Sequence, residues 1–324
     1  MAALTGRWWR LIDLVTAKRY AAQGVAATRA ALAALILLTY LADYGDRAYL
    51  WGPHGVVPWD VFTEGLSQQH TFSFYGFSRS DFYFDVVYHS GIVAAVAMVF
   101  GLGGRITVLV NWAFIWSLYS RNQPLLDGGN NLMVLVLLYL TLMDTTQHFS
   151  LSGKARLGVN ALRARLVTVL HNLGLAAILF QLSVLYVGSA LYKAQGELWQ
   201  DGTALYYIMR VNEFRHPGWS DLVFQNSLLV LVGTYTVVLF QISFPALLLS
   251  RVGRRAAFVG ALGLHLGIWL FMGLMSFSLT VIFCELVLLD DAVWQRARKA
   301  TRRALTVSHG LFLRRRRMPV APTG

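Results

Sequence analysis

Tyr186, Ser189 and Lys193 recur along one apolar stretch at i, i+3 and i+7. On a helix they share a face. Lys193, followed by Glu197 and Trp199, has two readings. One is a lysine snorkelling its ammonium to a membrane interface beside aromatic rings. The other is an amine sheltered from water, whose neutral form acts as a base. His265 lies between Gly263 and Gly267 in a second apolar run, and those glycines predict close helix packing. It is either a hydrogen-bonded core histidine or a functional one, since ionisable groups are costly in a membrane. Asp85 and His89, at i and i+4, predict a charged or proton-sharing pair, with a local structural role favoured. Asp127-Gly-Gly-Asn130-Asn131 reads as a tight turn and helix cap. Asp144 and His148 close an apolar run as boundary polarity. Glu285 is expected near the inner face, paired with an arginine of the C-terminal segment.

The elements that hold these residues are set by composition. Of 324 residues, 56% are apolar and only 14% charged. A soluble domain carries about 25% charge, and disordered chains are poor in apolar residues. The fold class is therefore all-α: a polytopic transmembrane helical bundle. Apolar segments fall at roughly 27–43, 83–102, 105–120, 130–146, 167–192, 225–249, 256–273 and 276–290, against the ~20 residues a crossing needs. Eight spans result, with seven as the rival because the last two segments nearly touch. Most of the 28 Lys and Arg then fall on alternate loops. The positive-inside rule puts those loops and both termini in the cytoplasm.

Three regions follow: a cytoplasmic N-terminal segment over 1–25, a transmembrane domain over 26–292, and a basic cytoplasmic tail over 293–324. Within the first, 3–20 is expected to form an amphipathic helix on the membrane surface, and no cleavable signal peptide is evident. The tail, ending in Arg314–Arg317, reads as a solvated stop signal that also leans on anionic lipid. A single cysteine, Cys284, forbids an intramolecular disulfide. His89, His148 and His265 lack metal-ligand spacing. Gly101-Leu-Gly-Gly104 lacks the context of a dinucleotide site, and no nucleophile elbow is present.

Four stretches taken in order resemble the vitamin K-dependent γ-carboxylase-like membrane family, also called the HTTM domain. They are Tyr49-Leu-Trp-Gly-Pro-His-Gly-Val-Val-Pro58; Asn130-Asn131 with Leu140-Thr-Leu-Met-Asp144 and Phe149-Ser-Leu-Ser-Gly153; Gln181…Tyr186…Lys193…Trp199…Gly202-Thr-Ala-Leu-Tyr-Tyr207; and His265 with Ser276-Phe-Ser278. They run from about 25 to 292, and the third is the most specific. Asp127-Gly-Gly-Asn130 and Trp199-Gln-Asp-Gly-Thr-Ala-Leu-Tyr-Tyr207 look most like the short bacterial branch. That branch includes the membrane protein that helps mature the sporulation-delaying toxin peptide.

The resemblance implies a catalytic base at Lys193, with His265 matching a family histidine. Gln181, Tyr186, Ser189, Trp199, Asp85, His89 and Asn130 are expected to bind substrate in an outward-opening cavity. The implied cofactor is a reduced vitamin K-type quinone, with no metal. The implied chemistry is a γ-carboxylase-like, quinol- and oxygen-linked proton abstraction. Two departures weigh against it. Gln147 stands where the family places a histidine, with His148 one residue later, and the large lumenal region of the carboxylases is replaced here by a short basic tail. The alternative is a membrane factor for maturation or export of a secreted antimicrobial or toxin peptide. A transporter is a third reading, but the sequence shows no inverted repeat. The expected location is the cell inner (plasma) membrane, multi-pass. The expected partners are the lipid bilayer, an exported peptide and a small partner protein, without nucleic acid.

Overall fold

A computed structural model describes residues 16–152 and 160–300. Residues 3–15 of the expected surface helix and the arginine run 314–317 lie outside the described residues.

Eight principal helices coincide with the eight apolar segments: α1 (Ala22–Ala42), α2 (Asp81–Val99), α3 (Arg105–Arg121), α4 (Gly128–Leu142), α5 (Ala161–Ala194), α6 (Ser227–Leu247), α7 (Arg251–Met272) and α8 (Met275–Glu285). No strand occurs among the described residues. Five of the eight (α1, α2, α5, α6 and α7) are long and apolar enough to cross a membrane. With no water in a bilayer core, a spanning segment must satisfy its backbone internally, which these runs do as helices.

Polar residues set where the helices begin. The side chains of Ser80, Asp127, Asn160, Asn226 and Ser250 each accept a backbone N–H in the first turn of the helix they precede. These contacts satisfy donors that have no intrahelical partner. Between α7 and α8 the chain breaks at Gly273, whose φ of 72° is left-handed. Glycine adopts that conformation without the Cβ clash of other residues. The two segments that nearly touch in sequence are thus separate helices packed side by side.

The connections gather at two poles. At one, the Arg19 guanidinium pairs with Asp144, Arg105 Nε donates to the Met143 carbonyl at 3.1 Å, and the Gln23 N–H donates to Asp291 at 3.0 Å. Arg254 and Arg255 pair with Asp290. Buried Arg29 of α1 donates there to the carbonyls of Met98, Val99 and Phe149. At the opposite pole, buried Arg121 donates to the carbonyls of Gly52 and Val57. Short helices at Arg47–Trp51, Trp59–Gln68, Glu197–Gln200, Ala204–Ile208 and Trp219–Phe224 lie in the connections of this second pole.

Short α8 packs against α1, α4 and α7. Ser278, Thr280, Val281, Ile282, Cys284 and Glu285 are all buried on it. Gly24 of α1 permits this: a Cβ there would stand 2.6 Å from the Leu286 carbonyl oxygen. The α1 backbone therefore lies directly on the chain that follows Glu285.

Candidate functional site

Three helices bring together three polar side chains in the apolar core. Tyr186 of α5 is 1% exposed, His265 of α7 is 3% and Glu285 of α8 is 0%. The Tyr186 hydroxyl donates to Glu285 Oε1, and His265 Nε2 lies 3.0 Å from the same hydroxyl. The partners are 79 and 99 residues away along the chain. Glu285 ends α8 ten residues from Met275, about 15 Å along the helix at 1.5 Å per residue. It belongs to the interior of the bundle, not to the inner face where sequence reading put it. Among the described residues its hydrogen-bond partner is Tyr186, and no arginine pairs with it.

Aromatic rings wall this centre. Phe244 packs on Tyr186 with centroids 4.2 Å apart, Phe240 meets it edge-on at 5.6 Å, and Phe277 tilts against His265 at 5.5 Å. Close approach of α6 and α7 depends on Gly260, where a Cβ would stand 2.5 Å from the Phe240 ring. Gly263 and Gly267, the expected packing glycines, do not serve this purpose. A Cβ at Gly263 meets nothing within 4 Å, and one at Gly267 meets only Phe271 of its own helix.

Two proton arrangements satisfy both hydrogen bonds. With Glu285 ionised, Tyr186 donates to the carboxylate while His265 Nε2–H donates to the tyrosine oxygen. With Glu285 protonated, the carboxyl donates to the tyrosine oxygen and Tyr186 donates to a bare Nε2. With His265 doubly protonated in the first arrangement and protonated only on Nδ1 in the second, moving one proton from His265 to Glu285 reverses both bonds, a geometry that suits Tyr186 to relay it. Among the described residues, His265 Nδ1, Glu285 Oε2 and Ser278 Oγ are buried without a hydrogen-bond partner. Unsatisfied buried polar atoms are rare, and each calls for an explanation.

Lys193 occupies a different place. It lies seven residues beyond Tyr186, about 10 Å further along α5, and is half-buried. Its Nζ donates to Ser189 Oγ and lies 5.3 Å from the centroid of the Trp199 ring. Lys193, Ser189 and Trp199 therefore form their own group at the end of α5, apart from the Tyr186 centre. Gln181 is half-buried; five residues before Tyr186, it projects from another side of the helix.

Asp85 and His89 are near in space but do not pair through their side chains. The Asp85 carboxylate accepts from Arg47 Nε at 2.9 Å. His89 Nδ1 donates to the Asp85 carbonyl at 2.6 Å, and His89 Nε2 then accepts from Tyr44 Oη at 3.0 Å. Arg47, supplied by a short helix between α1 and α2, outcompetes the histidine because it brings a full charge. Asn130 completes a capping box: its Oδ1 accepts from the Asp127 N–H at 2.8 Å, while Asp127 Oδ1 accepts from the N–H groups of Gly129 and Asn130.

Glu285 is the member of the centre that sequence reading named but gave another role. The available signal was Ser278 and Glu285 at i and i+7 in an apolar run, a spacing that puts both on one face.

The helices and their buried polar centre define a polytopic helical membrane protein. The chain is 29% identical over 199 residues to uncharacterized protein YitO of Bacillus subtilis (strain 168), covering 58% of this chain and 61% of the relative. It is 26% identical over 215 residues to sporulation-delaying protein SdpB of the same organism, covering 64% of each. The match thus spans less than two thirds of the length of both curated relatives. No family model matches the chain, and no solved structure matches it.

Proposed function

We propose that this chain is a plasma-membrane factor for the maturation of an exported peptide, of the HTTM type, with the Glu285–Tyr186–His265 relay as its working centre. The observation that carries this reading is the similarity to SdpB. It favours peptide maturation over carboxylation, the other function expected from the sequence. Eight alternating helices support eight crossings. The gathering of Arg19, Arg105, Arg254 and Arg255 at one pole supports a cytoplasmic assignment of that pole. In this reading the relay keeps a movable proton in a water-free core, and His265 Nδ1 is the atom through which the proton enters or leaves.

The Lys193 amine, the base expected from the sequence, and the polar centre form separate groups. They are not brought together: Lys193 is engaged by Ser189 and Trp199, while the orphaned atoms lie buried behind Phe244 and Phe277.

The test is deletion of the gene in its native host, with exported peptides profiled by mass spectrometry. At least one peptide is expected to lose its mature form, to be restored by the wild-type chain and not by Tyr186→Phe. An unchanged set of exported peptides overturns the reading.

A further inference from the structure

A second site lies at the arginine-rich pole, independent of the buried centre. A cavity of about 570 Å³ opens there between α5, α7 and the chain that follows α8. That volume is within the range of small-ligand sites, roughly 300–1,000 Å³. Among the described residues, five cations line it: Lys18, Arg19, Arg251, Arg254 and Arg255. Against them stand two lining carboxylates, Asp290 and Asp291. Asp290 is already shared by Arg254 and Arg255, and Asp291 accepts the Gln23 N–H. Arg19 is held by Asp144. Among the described residues, Lys18 and Arg251 form no ion pair; the Lys18 ammonium lies 4.8 Å from the centroid of the Tyr20 ring.

The cavity is not uniformly polar. Leu175 and Leu179 of α5, with Val287 and Leu288, supply an apolar wall. Leu175 and Leu179 are at i and i+4, a vertical stripe along the helix. A soluble anion would use the cations and leave this stripe unused. A phospholipid uses both: its phosphodiester meets the charges and an acyl chain lies along the leucines. Basic pockets between membrane helices bind anionic headgroups on this principle.

We infer that the cavity bounded by Lys18, Arg251, Arg254, Leu175 and Leu179 is a binding site for one anionic phospholipid. Lys18 and Arg251 are the groups that hold its phosphate, because Asp290 competes for the other two arginines of α7. The ion pairs to Asp290 keep the site in shape without cancelling its charge.

The experiment uses the full-length protein, delipidated in detergent and titrated with short-chain phosphatidylglycerol or phosphatidylcholine under native mass spectrometry. Wild type is expected to retain one phosphatidylglycerol at least tenfold more tightly than phosphatidylcholine. Lys18→Gln with Arg251→Gln should weaken that retention about tenfold, whereas Arg163→Gln with Arg165→Gln, exposed on the first turn of α5, should leave it unchanged. Glycerol phosphate in excess should not displace the lipid. Equal retention of the two lipids overturns the inference, as does equal loss in both double variants. Displacement by glycerol phosphate overturns it too, by showing a site for free anions. If the Lys18–Arg251 variant does not fold, the wild-type comparison of the two lipids decides alone.

Discussion

Two positions on one face of α5 behave differently. Tyr186 is sealed among α6, α7 and α8 and shares its hydroxyl with His265 and Glu285. Lys193, two turns on, is held by Ser189 from its own helix and by Trp199 from the connection that follows. A common helix face therefore does not make a common site. What surrounds each position decides: three helices close over Tyr186, while only a short connecting helix covers Lys193. A charge near the end of a membrane helix can reach water, whereas a polar group in the middle must find its partner in the protein.

The sharpest way to break this contrast is Glu285→Lys. It puts a second kind of charge into a sealed core with no carboxylate to meet it, which costs about 3 kcal/mol or more. Loss of the monodisperse peak in detergent gel filtration is expected; a normal peak would mean that the core admits water.

Tyr186→Phe isolates the hydroxyl. The ring still packs on Phe244 and Phe240, and stability should fall by about 1–3 kcal/mol as two partners lose a hydrogen bond. Maturation of the exported peptide should be lost. Full maturation by this variant would move the working centre elsewhere, toward Lys193 or beyond.

Gly260→Ala and Gly263→Ala sharpen the packing side of the comparison. The first forces the Phe240 ring away from α7 and should cost about 1–3 kcal/mol. The second fills open space and should gain up to about 1 kcal/mol, the usual advantage of alanine over glycine in a helix. Thermal melting of the purified pair checks the opposite signs.

Lys193→Met should have the smallest effect. The lost contacts are a single hydrogen bond and a cation–ring contact at a half-buried site, worth about 1 kcal/mol together. Melting should shift little and the peptide should still mature. Loss of maturation with normal folding would restore the lysine as the working group.

Most of the fold was legible in the sequence, because a helix in lipid needs a run of apolar residues and a cap, and both are local. Asp127 and Asn130 announced their capping box in four residues. Less of the site was legible. Tyr186 and His265 stood out as polar residues in apolar runs, and they do meet. Asp85 and His89 had the right spacing, but Arg47 arrived from another element and took the carboxylate. Gly263 flanked the histidine and still faces no neighbouring helix, whereas Gly260, three residues earlier, meets Phe240.

By itself, then, the sequence determined a helical membrane protein and, to within about six residues, where its eight apolar helices run. These follow from hydropathy and hydrogen bonding within a few residues. The tertiary structure alone decided that Glu285 meets Tyr186 and His265. That meeting depends on α8 packing against α1, α4 and α7, with contacts such as Gly24 against Leu286, which no spacing within one helix encodes.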